Sequence, residues 1–114
     1  MAEQIISNIT YDQREERGWT IWALSGSLDI NTSPQAEAEG QKVYEAAGKL
    51  AIDLSGLDYL SSAGLRVLLR FGKRAKKEGK GFALVGAVGM VATVLKESKM
   101  NMLVTTVGSM EELK

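Results

Sequence analysis

An apolar strand that hands directly over to a long amphipathic helix constrains this chain more than any other feature. The stretch Lys49-Leu50-Ala51-Ile52-Asp53-Leu54-Ser55-Gly56 is compact and apolar, with an acid near its end. A turn, Leu57-Asp58-Tyr59-Leu60, is expected to lead from it into a helix from Ser61 to about Glu78, where Gly79 stops it. Leu65, Leu68, Leu69, Gly72 and Ala75 recur at helical spacing as its buried stripe. Arg66, Arg70, Lys73, Arg74, Lys76 and Lys77 decorate the remainder, most simply as a solvated face. A strand that stops at a helix N-terminus leaves several N–H groups unpaired and aligned with the positive end of the helix dipole. Two adjacent serines, Ser61 and Ser62, stand at that junction. A hydroxyl there can cap the helix or carry an anion, and the division of those two jobs is the functional question the sequence poses.

The same alternation extends in both directions. Residues 5–11 place Ile5, Ile9 and Tyr11 on one side of a strand and Asn8 and Thr10 on the other. The charged run from Asp12 to Gly18 reads as a turn, and Trp19 to Gly26 as a second strand, apolar on both faces and therefore interior. Gly26 to Thr32 is expected to be a loop. Thr32-Ser33-Pro34 then starts a helix with a hydroxyl cap and a proline in the first turn. Ala36, Gly40, Val43 and Ala47 form its packed face, and Gly48 ends it. Gly81 to Gly86 is a short strand. Val88, Val91, Leu95 and Ser98 mark a third helix, Leu103 to Val107 a last strand, and Ser109 caps a short final helix with Glu111 and Glu112 in its first turn. The order is β-β-α-β-α-β-α-β-α over one domain, residues 1–114. It predicts an α/β fold: a mixed sheet with an opening antiparallel hairpin and later strands parallel, covered by helices.

Composition removes whole classes of chemistry. The chain has no cysteine and no histidine, so thiol chemistry, disulfides and any Ser-His-Asp hydrolase are out. A phosphate-cradling Gly-x-x-x-x-Gly-Lys-Ser/Thr motif and a Gly-x-Gly-x-x-Gly fingerprint are both missing. Asp29, Asp53 and Asp58 could in principle converge on a hard cation, though acids at strand ends are more often solvated or capping groups. The expectation is a non-enzyme with no cofactor and no metal. The start, Met1 to Gln13, lacks the basic head and apolar centre of a signal peptide, and no apolar run reaches the roughly 18 residues of a membrane span. The cytoplasm is therefore the expected compartment, without direct membrane insertion. Residues 1–60 carry ten acidic and four basic side chains and residues 61–114 the reverse; such a split usually means only that different faces carry different signs, and a basic surface recruiting an acidic partner is the other reading. Nucleic-acid binding is not expected, because the chain is neutral overall and no aromatic residue interleaves with the helix charges. Met90, Met100, Met102 and Met110 read as core or core-edge fillers.

A cap needs only one hydroxyl. With Ser61 as the cap, Ser62 falls on the first helical position and points outward, beside the small residues Ala63 and Gly64. A phosphate on Ser62 would add about −1.5 to −2 charges, which the helix dipole tolerates while the surface changes sharply.

Gly26-Ser27-Leu28-Asp29-Ile30-Asn31-Thr32-Ser33-Pro34 and the stretch from Ala51 to Leu69, with the layout around them, resemble the STAS domain and, among its members, the bacterial anti-sigma factor antagonists. The resemblance covers nearly the whole chain. It implies binding to an anti-sigma factor that is also a serine kinase, which phosphorylates the antagonist at the start of the second helix; a serine phosphatase resets it. By the family's Asp-Ser-Ser/Thr-Gly-Leu pattern the acceptor falls on Ser62, less readily on Ser61. The implied partner-binding residues are Asp29, Thr32, Ser61, Ser62, Ala63, Gly64, Leu65 and Arg66. Ser61 stands where many members carry aspartate. STAS domains also serve as unphosphorylated scaffold subunits of signalling or membrane lipid-transport complexes, which is the alternative the resemblance leaves open.

Overall fold

A computed structural model describes residues 8–113. Five strands form one sheet in chain order: β1 (Ile9–Glu16), β2 (Trp19–Leu28), β3 (Lys49–Leu60), β4 (Gly81–Val85) and β5 (Thr105–Val107). The first pair is antiparallel and every later pair parallel. Helices α1 (Ser33–Ala46), α2 (Ser62–Glu78) and α3 (Gly89–Glu97) supply the crossovers, and a four-residue helix α4 (Met100–Leu103) precedes β5. The expected mixed sheet and its order of elements are both present.

The sheet's two faces carry separate cores. Trp22, Leu24, Leu50, Ile52 and Leu84 pack under the helices with Tyr44, Leu68 and Phe71. Trp19, Ile21, Ala51, Ala83 and Val85 lie on the other face, covered by Met110 and Leu113 of the C-terminal segment. β2 is therefore apolar on both sides, as its sequence requires. The buried stripe of α2 is Gly64, Val67, Leu68, Phe71, Gly72 and Ala75; Leu65 and Leu69, read from sequence as part of it, sit half-buried on its flank. The adjacent apolar residues Val67, Leu68 and Leu69, flanked by Leu65 and Phe71, left more than one stripe open, and the packed arc follows the i, i+3, i+4 pattern through Val67 and Phe71.

Several boundaries differ from the sequence reading. Ile5 lies outside the described residues. The run from Asp12 to Glu16 is strand, not turn, because hairpin pairing with Trp19 to Ala23 continues through it. The reversal is confined to Arg17 and Gly18, both at positive φ. β2 runs on to Leu28 and β3 to Leu60, so the residues from Gly26 to Leu28 and the Leu57 to Leu60 "turn" are ladder. Two register shifts hide this, one between Ala23 and Ser25 and one between Gly26 and Ser27. Each inserts an extra β3 residue and breaks the period-two pattern. Thr32 does stand at the N-cap of α1, but its side chain makes no cap bond. Tyr44, not Val43, is the buried residue late in α1, and the helix ends at Ala46 with Ala47, not Gly48, as its C-cap. Lys99, at φ 62°, breaks the third helical run and sets α4 apart. The last element is one 3-10 turn, Met110–Glu112, without a side-chain cap from Ser109. Glu112 instead accepts the Gly108 N–H. Met100 and Met110 are core, whereas Met90 and Met102 are exposed.

Candidate functional site

Parallel pairing of β2 with β3 ends at Leu28 opposite Leu60, which brings the two following segments side by side. One carbonyl joins them. The Ser61 N–H donates to Leu28 O at 3.0 Å, continuing the ladder one residue past the strand. Gly64 comes so close beneath that a Cβ there would stand 2.5 Å from the same oxygen and 2.9 Å from Leu60 Cδ1. Only glycine allows the first turn of α2 to lie this near the end of β2.

Ser61 is extended (φ −91°, ψ 174°), and its Oγ accepts the Gly64 N–H at 3.2 Å. It is the N-cap, with its hydroxyl committed to the helix. Ser62 is the first helical residue and is exposed, with Ala63 half-buried beside it.

Across the Leu28 carbonyl, Asp29 organises a tight turn. Its carboxylate Oδ1 accepts the N–H groups of Asn31 at 2.9 Å and Thr32 at 3.1 Å. Its own N–H donates to Thr32 Oγ1 at 2.9 Å, and that hydroxyl donates to Ser27 O at 2.8 Å. This explains why Thr32 does not cap α1. Its oxygen is spent on the turn, and Ser33 supplies both an N–H and a hydroxyl to Asp29 O. The braced turn thrusts Ile30 outward, 73% exposed.

Between this turn and α2 runs a shallow groove lined by Ile30, Pro34, Glu37, Ala63, Arg66 and Arg70. Arg70 grips Glu37 with both arms, Nε to Oε2 and Nη2 to Oε1, each at 2.7 Å. Those hydrogen bonds and the guanidinium charge hold the Glu37 carboxyl below its ordinary range. Arg66 is exposed at the groove edge.

Of the residues read from sequence, Asp29, Ser61, Ser62, Ala63 and Arg66 converge on one surface. Thr32 and Gly64 are buried and shape it from below, and Leu65 is half-buried. Ile30 and the Glu37–Arg70 clamp were not anticipated; a lone isoleucine in an otherwise polar turn was the available signal. Asp53 is engaged elsewhere, accepting the Ser55 N–H at 2.9 Å with Arg14 at 3.8 Å. Among the described residues no three acidic side chains come together as a metal site. Among the described residues no helix is long and apolar enough to cross a membrane.

Comparison with known proteins gives a consistent result. The family model described as "Mlab, STAS domain" matches residues 12–105. A Bordetella bronchiseptica protein named as an anti-sigma factor antagonist, BtrV, is 38% identical over 61 residues, a segment spanning 53% of each chain, so the match reaches about half the length of that relative. The crystal structure of an anti-sigma factor antagonist from Mycobacterium paratuberculosis superposes with a TM-score of 0.80 at 27% identity, covering 92% of this chain and 90% of that one. A Thermotoga maritima structure described in similar terms superposes at 0.79 and 20% identity, covering 90% and 89%, a likeness of fold.

Proposed function

The chain belongs to the STAS domain family, and on that footing we propose that it is an anti-sigma factor antagonist acting in the cytoplasm by partner switching. It docks an anti-sigma factor that is also a serine kinase, through the surface formed by the Asp29 turn and the start of α2. The kinase passes a phosphoryl group to Ser62 Oγ, the partner leaves, and a serine phosphatase restores the hydroxyl. The chain itself performs no catalytic step.

One observation carries this reading: of two adjacent serines, Ser61 is bound into the helix cap, and Ser62 stands exposed beside Ala63, which lines the groove. A phosphate on Ser62 would leave the cap intact and place about −1.5 to −2 charges on the docking surface. The relatives named as antagonists support the partner class.

The test is affinity capture with Ser62→Asp and Ser62→Ala variants of the full chain, followed by mass spectrometry. Ser62→Asp is expected to lose the anti-sigma factor while remaining folded, and Ser62→Ala to retain it. Equal recovery by both would overturn the switch. It would favour the second reading, an unphosphorylated scaffold subunit of a signalling or membrane lipid-transport complex. That reading draws its support from Ser61, which stands where many family members carry an aspartate before the acceptor.

A further inference from the structure

Arg66 stands one helical turn beyond Ser62, and residues four apart on a helix are neighbours, with Cβ atoms roughly 5–6 Å apart. Both side chains are exposed. The other arginines of α2 are committed: Arg70 to Glu37 at 2.7 Å, and Arg74 to Glu78 at 3.1 Å and Glu45 at 3.7 Å. Among the described residues Arg66 makes no hydrogen bond or ion pair. It is the uncommitted guanidinium of the groove, and it lies next to the serine on which the proposed switch depends.

We propose that Arg66 is a latch that reads the state of Ser62. While Ser62 carries a free hydroxyl, the Arg66 guanidinium is available to a carboxylate on the docking partner, with Ile30 meeting an apolar side chain beside it. Once Ser62 carries phosphate, Arg66 turns back along the helix and closes on it. Phosphorylation thus does two things at once: it adds negative charge to the surface and withdraws the cation the partner uses. The inference deepens the proposed switch and rests on Ser62 as the acceptor.

The geometry suits the closed state. An acid N-terminal to a base at this spacing is the better orientation on a helix, and the planar guanidinium fork matches phosphate oxygens. The surrounding charges call for such a cation. Asp29 follows directly on the Leu28 carbonyl that holds Ser61, and its carboxylate is fixed in its turn. Glu37 on α1 is already neutralised by Arg70, and Asp58 on β3 is exposed. Lys73 and Lys77 lie further down α2, beyond the reach of a group at its first residue.

The partner's expected chemistry follows: an acidic side chain next to an apolar one. The latch itself can be tested without the partner. Phosphoserine is incorporated at position 62 of the full chain during synthesis, and the phosphate is titrated by phosphorus NMR. Its second ionisation is expected about 0.2–0.4 of a pH unit lower in the native background than with Arg66→Gln, the gap narrowing in high salt. Lys73→Gln, on the same helix, is expected to leave the midpoint in place. Equal midpoints with and without Arg66 would overturn the latch. So would a shift of the same size from Lys73→Gln, which marks diffuse charge alone. Because neither kinase nor partner takes part, failure here leaves the Ser62 switch standing. Failure of that switch shows instead in the capture of the Ser62 variants.

Discussion

At the scale of single residues, the start of α2 is held by contacts that differ in kind and therefore in cost. Ser61 contributes a side-chain cap, and Ser61→Ala is expected to lower stability by about 1 kcal/mol. Gly64 contributes an absence. A methyl group there meets the Leu28 carbonyl and the Leu60 side chain, so Gly64→Ala forces the helix off the end of β2, at about 1–3 kcal/mol. Ser62 touches neither, and Ser62→Ala is expected to stay within about 0.5 kcal/mol of the native chain. Urea denaturation of the three variants checks this ranking; a Ser62 variant as unstable as the Ser61 one would contradict the division of roles. That division was legible in the sequence because a cap needs only one hydroxyl: with Ser61 as the cap, Ser62 falls on the first helical position. Ile30 was not legible as a surface feature. Nothing in the chain's periodicity marks the one apolar residue that a braced turn pushes into solvent.

At the scale of elements, α1 and α2 are fastened at two points. Arg70, midway along α2, closes on Glu37 in the second turn of α1. Near their far ends, the buried Tyr44 hydroxyl donates to Glu78 at 2.7 Å, while Arg74 lies 4.4 Å over the Tyr44 ring. The first fastening has a definite pH signature. Arg70 lowers the Glu37 carboxyl beneath its ordinary 4.5, so the pair's stabilisation is fully present above that value and is lost as pH falls through the lower, folded one. Glu37→Gln is expected to cost about 0.5 kcal/mol at neutral pH, the modest figure of a partly exposed pair. The difference from the native chain should vanish in acid below the folded value, in paired thermal melts across pH. A penalty independent of pH would mean that packing rather than charge holds the pair. The helices were legible because Pro34, the serine pair and Gly79 mark their limits. The strands were less so. The extra residues that β3 inserts opposite β2 put Leu54, Leu57 and Leu60 all inward, a spacing of three that alternation cannot recognise.

At the scale of the whole molecule, among the described residues one face of the sheet carries the α-helices and the other is closed by a single short turn. Met110 and Leu113 cover Trp19, Ile21, Ala51, Ala83 and Val85, and the Arg17 guanidinium donates to the Met110 carbonyl from the β1–β2 turn. Met110→Ala is expected to lower stability by about 2 kcal/mol, the lower end for a buried methionine because this one sits at the core's edge. Hydrogen exchange at the Trp19 indole should speed up in the same variant, while exchange at Trp22 follows global stability alone; unchanged exchange at Trp19 would mean the turn is not what shields it. The sequence showed β2 to be apolar on both faces. It also marked a short final helix and Met110 as core or core edge, but not that they cover this second face, because an element of one turn has no periodicity to say which surface it meets.

The strand order of the sheet is the order of the chain. Every strand therefore finds its partner already made as the polypeptide leaves the ribosome, and no edge of the growing sheet waits for a later insertion between existing strands. Such a chain can assemble vectorially, each crossover helix settling before the next strand arrives. The exception is the seal over Trp19, where Arg17 and Met110 meet across 93 positions of sequence. Until residues 110–113 emerge, a tryptophan and its apolar neighbours stand without that cover on the nascent sheet. That interval leaves apolar surface exposed after the strands have paired, the condition under which a nascent chain is open to aggregation and to chaperones.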